Sequence, residues 1–157
     1  MKEYPDYLPR PLRRNYDISH TSPFARTEMV TGRARQRRTF TSVPSLVTVD
    51  WHMDQSQAPL FEAWFKYEIT DGVEWFMAPL RTPEAPNGPL KMYECRFTGM
   101  YSGPTFTDDD EWDFSAELET RERPLLSQEW WLYGQPFISS AGIIDIALNR
   151  NWPKHEQ

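Results

Sequence analysis

Three histidines, one cysteine and a short run of carboxylates are the residues of this chain that could do chemistry. His20, His52 and His155 stand far apart in three different contexts. A zinc-type site needs several His or Cys ligands at short spacing, and none of the three has such a companion. His52 reads as an ordinary surface histidine on the polar face of a strand. Cys95 has no identifiable base, so nothing marks it as a nucleophile. Its place in an alternating run reads as a small buried hydrophobe. Asp108, Asp109, Asp110 and Glu111 could hold calcium or supply a carboxylate pair. They lack the alternating spacing and the glycine of an EF-hand loop, and a solvated loop is the plainer reading. Glu117 and Glu119 share one strand face, a commonplace arrangement. There is no glycine-rich phosphate loop and no Gly-x-Ser-x-Gly elbow. The expectation is a chain that is not an enzyme and takes no cofactor and no metal.

The residues that could make contacts are more conspicuous. Arg33, Arg35, Arg37 and Arg38 crowd one short segment. A β conformation would set Arg33, Arg35 and Arg37 on one face. Such a stripe either meets an acidic partner or lies as a solvated face beside the chain's own Asp and Glu. Near the end, Trp130, Trp131, Leu132 and Tyr133 form one apolar cluster, and Ile143, Ile144, Ile146 and Leu148 form another. Exposed clusters of this kind mark interfaces. The interface candidates are therefore Arg33, Arg35, Arg37, Arg38, Trp130, Trp131, Tyr133, Ile143 and Ile144.

The elements that must position these residues follow from periodicity. Residues 1–30 carry several prolines and no helical period, and read as an extended N-terminal arm. Val47, Val49, Trp51 and Met53 alternate with polar residues, which predicts a half-buried strand. A helix follows over about 56–70. Pro59 in the first turn favours Ser56 over Asp54 as N-cap. Leu60, Phe61, Trp64, Phe65 and Tyr67–Ile69 give its apolar stripe, with Glu62 and Lys66 paired on the other side. Thr70-Asp71-Gly72 ends it. Strands are expected at 73–80 and 90–97, with a loop at 81–89 whose tip could make contacts. A second loop is expected over 99–110. Trp112, Phe114, Ala116 and Leu118 then give the cleanest period-two signal. Residues 31–122 form the core domain, and 123–157 an irregular or short-strand extension that forms an interface. The predicted class is mainly β, a sandwich or barrel-like domain with one packed helix.

Composition sets bounds. The chain has 157 residues, 15% aromatic, with mean hydropathy −0.71. That length suits one domain plus non-core sequence, and the aromatic share supplies a core. A formal charge of −6 argues against sequence-independent nucleic-acid binding by the whole molecule. A single cysteine excludes an intramolecular disulfide framework and fits synthesis in a reducing compartment. No apolar run approaches the ~20 residues of a membrane helix. The start is too polar and proline-rich for a signal peptide.

The order of these motifs resembles the small minor tail proteins at the tail tip of long-tailed bacteriophages, the lambda-type family related to distal tail proteins. The resemblance rests on Leu60, Phe61, Glu62 and Trp64 in the helix, then Gly72, Trp75, Phe76 and Pro79, then Phe114, Ser115, Ala116, Glu117 and Leu118. Upstream, Arg26-Thr27-Glu28-Met29 with Arg35 to Phe40 matches the basic segment before the family's first core strand. It covers about residues 26–122. The proline-rich start and residues 123–157 depart from the pattern, which leaves neighbours and position in the tail open. The resemblance implies a virion structural protein, made in the bacterial cytoplasm, that forms a ring, typically six-fold, between the tail tube and the tip or baseplate. Its partners would be further copies of itself, the tail tube protein and other tip or baseplate proteins. DNA would be passing cargo, and no membrane is involved. The sequence leaves two alternatives open. One is a tail-completion protein at the neck. The other is a small glycan-binding module or hydrolase, with Trp130, Trp131 or Trp152 stacking on sugars.

Overall fold

The computed structural model describes residues 2–30, 32–84 and 90–135. The chain divides into two compact units, residues 1–124 and 125–157. The first is mainly β, with one packed helix.

Its sheet is organised by β5 (Ser45–Met53) and β9 (Trp112–Thr120), antiparallel and paired over all nine residues of each strand. Alternation does the sorting. Val47 with Leu118, Val49 with Ala116, and Trp51 with Phe114 face the core. Leu46 with Glu119, Thr48 with Glu117, Asp50 with Ser115, and His52 with Asp113 line the other face. Outward come β7 (Lys91–Phe97) and β6 (Phe76–Leu80), then β1 (Lys2–Glu3), which runs parallel to β6. On the far side of β5 lies β2 (Asp17–His20). The order is thus β1-β6-β7-β9-β5-β2, and β8 (Ser102–Phe106) also pairs with β9. The free side of β9 is divided, β7 taking Leu118–Thr120 and β8 taking Trp112–Ser115. A bulge in β8 accompanies Gly103, whose φ is +108°; a Cβ there would lie 2.6 Å from the Asp113 carbonyl oxygen.

Helix α1 (Gln57–Ala63) continues as a π-helical turn over Trp64–Glu68. The Asp54 carboxylate, not the Ser56 hydroxyl, caps it, accepting from the backbone N–H groups of Ser56 and Gln57 at 2.8 Å. Ser56 instead donates its own hydroxyl to Asp54. The wider π turn lets the adjacent residues Trp64 and Phe65 both bury, with Ile69 beyond them. Leu60 and Tyr67, expected in the apolar stripe, are exposed, Tyr67 at 78%. The expected Glu62–Lys66 pair does not form among the described residues; Glu62 accepts from the Tyr101 hydroxyl at 3.2 Å. Phe61 is fully buried, its ring centroid 4.9 Å from Phe114 and 5.4 Å from Trp51 and Tyr101.

Several elements differ from expectation. Residues 2–20, read as arm, supply β1 and β2 to the main sheet, and buried Tyr4 packs edge-on against Trp64. Its hydroxyl donates to the Pro9 carbonyl at 2.7 Å. With two and four residues, these strands are too short to show a period. Val73 to Trp75 belong to the turn, and β6 starts at Phe76. The loop expected at 99–110 contains β8. Beyond residue 124, Gln128–Tyr133 form a short helix, α2, N-capped by Ser127, where irregular or short-strand structure was expected.

Replacing Phe61 by Ala removes the centre of the aromatic cluster. The expected loss is about 3–5 kcal/mol, read from urea unfolding. Gly72 has φ +85°, and an added Cβ would lie 2.9 Å from the Phe65 ring. Gly72→Ala is expected to cost about 1–3 kcal/mol in the same assay.

Candidate functional site

A hairpin of β3 (Phe24–Glu28) and β4 (Ala34–Arg38) stands exposed along its whole length. It forms its own two-stranded sheet, and all ten strand residues are exposed. Arg35 and Arg37 do share a face, opposite Thr27 and Ala25. Arg38 lies on the other face with Arg26, and Arg33 lies in the connecting turn, outside the strand expected to align it. Arg38 donates to the carbonyls of Phe40 and Thr41 and so fixes the exit of the hairpin. None of the five arginines has a carboxylate partner among the described residues. Residues 22–41 contain five arginines against Glu28 alone, a charge of +4 within a chain of −6. The remainder therefore carries −10. Apolar groups are exposed on the same segment, with Phe24 at 48% and Phe40 at 57%. A lone two-stranded ribbon is marginally stable in water. An ordered ribbon with unpaired cations and exposed rings is therefore suited to a partner surface.

The other interface candidates fall in the second unit. Trp130, Trp131 and Tyr133 lie on α2, and all three are exposed. Ile143 and Ile144 lie outside the described residues, as does most of the expected contact loop, at 85–89.

Chemistry at the titratable groups is settled by their neighbours. His52 Nδ1 bonds Asp113 Oδ1 at 2.6 Å, and Nε2 meets the Glu111 carboxylate. Both ring nitrogens face carboxylates, so neither is aimed at a hydroxyl nucleophile. The hydrogen bond to Asp113, with Glu111 adding its charge, raises the His52 pKa. His52 is thus an ion-pair partner rather than the plain surface residue expected. Sequence could not show this, since Asp113 is 61 residues away and only the β5–β9 register brings it opposite. Among the described residues, no His, Cys, Asp and Glu group has metal-site geometry, the Asp108–Glu111 run included. Cys95 is fully buried, and burial pushes its thiol up to about 12, out of the reactive range.

Among the described residues, three cavities flank the start of the chain, and two of them have a distinctive lining. One, of about 570 Å³, is lined by Arg10, Arg13, Tyr16 and Arg81 among others. The other, of about 430 Å³, lies between residues 3–7 and the end of the helix and is aromatic and acidic. Neither was visible in sequence, because each joins segments more than fifty residues apart.

No protein-family model matches the chain, no curated protein matches it, and no solved structure matches it.

The raised pKa of His52 sets a sign for pH dependence. Protonated His52 is favoured in the folded state, so its contribution is complete below the unfolded value of about 6.5. It is lost as pH rises through the higher folded value. His52→Gln is expected to lower the urea midpoint at about pH 5.5–6, with the gap to the parent closing above neutrality. His52 is about one-third exposed, so solvent screening keeps the effect small.

Proposed function

We propose that this chain is a structural subunit of a phage tail, forming a ring, six-fold on the motif resemblance, that joins the tail tube to the tip or baseplate. The observation that carries the reading is the β3–β4 ribbon. It is ordered yet packs on no core, and it concentrates positive charge on an otherwise acidic chain. A ring subunit needs such an arm, because its contacts are completed only by neighbours. Among the described residues β1 and β2 end the strand order, and their outer edges add backbone groups that a neighbour can cover. The strand–helix–strand order with Phe61, Trp64, Phe76 and Phe114 in one core supports the resemblance as a packing unit. In this reading the protein works by holding position, and its chemistry is that of interfaces.

Immunogold electron microscopy tests it, using antibody against the chain on phage particles from the genome that encodes it. Gold at the tail end distal to the head is the expected result. Gold at the head-proximal end would move the assignment to the neck. Particles without gold, after the epitope has been shown to be accessible, would overturn the virion reading.

A further inference from the structure

We infer that the arginine ribbon of one copy of this chain seats in the aromatic, acidic groove beside β1 of a second copy. The inference rests on the ring reading above and supplies the contact it requires.

The groove, about 430 Å³, is lined by Tyr7, Trp64 and Tyr67 together with Glu3, Asp6 and Glu68. No arginine or lysine lines it among the described residues. Two cations adjoin it in sequence: Lys2 pairs with Glu74 at 2.9 Å and donates to the Glu68 carbonyl, and Lys66 lies over the Tyr67 ring, 5.8 Å from its centroid. Glu3 and Asp6 are exposed and have no ion-pair partner among the described residues. Ring faces beside carboxylates suit a guanidinium. It stacks on the rings, loses less hydration than an ammonium, and bonds a carboxylate through two parallel N–H groups. The ribbon supplies such groups, on Arg26, Arg35 and Arg37 along an exposed strand pair and on Arg33 in the connection between the strands.

Topology favours a second copy over folding back. The ribbon departs after β2, at one end of the strand order, and the groove lies beside β1, at the other end. Complementary patches on opposite edges give a head-to-tail contact, which repeats from copy to copy and closes into a ring when the rotation allows. The +4 of the ribbon against the −10 of the rest steers that encounter.

Two variants test this. Arg35→Ser with Arg37→Ser disables the ribbon, and Glu3→Gln with Asp6→Asn disables the groove. All four residues are exposed, and circular dichroism with thermal unfolding would check that each variant folds. In analytical ultracentrifugation the parent is expected to associate with concentration and to loosen with salt. Each variant alone is expected to stay monomeric at concentrations about tenfold above the parent's midpoint. The equimolar mixture is expected to form a dimer and stop there, since one intact ribbon meets one intact groove. A mixture that sediments as monomer, or single variants that associate like the parent, would overturn the inference. The virion reading fails separately: gold on tails beside a monomeric mixture would remove the groove contact alone, and a dimerising mixture with no gold on particles would remove the virion assignment alone.

Discussion

The nine-residue pairing of β5 with β9 is the constraint on which the rest of the fold depends. A shift of one residue would either turn Val47, Val49 and Trp51 of β5 outward or, with β5 held, bring Glu117 and Glu119 of β9 into the core. Because both strands alternate without interruption, that slip is strongly opposed. The same register sets Asp113 opposite His52, and it divides the free side of β9 between β7 and β8. On the outer face it helps place Arg96 against Glu119 at 2.7 Å, with Trp75 beneath the Arg96 and Arg121 guanidinium groups.

Packing on the core face is dominated by rings. Phe61 touches Trp51, Trp64, Tyr101 and Phe114, mostly tilted or edge-on, the geometries that ring quadrupoles prefer. The cost is visible at two indoles. Trp51 and Trp64 bury their N–H groups without a hydrogen-bond partner among the described residues, a penalty of roughly 1–3 kcal/mol each. The area buried by these rings offsets it. The π turn is what admits Trp64 and Phe65 side by side into this layer, and the left-handed run Thr70-Asp71-Gly72 then redirects the chain toward β6.

Much of this was legible in the sequence wherever a period extends over several residues. The alternation of 47–53 and 112–118, and the apolar spacing from Phe61 to Ile69, carried the mainly β class and its single packed helix. Short elements were not legible. β1 has two residues and β2 four, too few to display a period, and their pairing is decided by distant strands. Gly103 and Pro104 disguised β8 as loop. In α2 every residue from Gln128 to Tyr133 is exposed, so no apolar face marked it as a helix. The alternation of Arg35 and Arg37 was readable, but not that their strand pairs only with β3. The acidic groove joins residues 3–7 to residues 63–68, and composition at either end is unremarkable.

His20 and Ser45, the residues where the chain leaves β2 and enters β5, face each other across a strand pair, and the His20 ring meets the Ser45 hydroxyl at 2.7 Å. The ribbon is therefore an insertion whose two ends are already tied together. Cleavage after one of its exposed arginines by a trypsin-like protease would break the polypeptide without parting the sheet, because the strands on either side of the cut stay paired. A seated ribbon would be shielded from the same enzyme. Susceptibility of these few peptide bonds would then report, molecule by molecule, whether a subunit stands alone or is held by a neighbour.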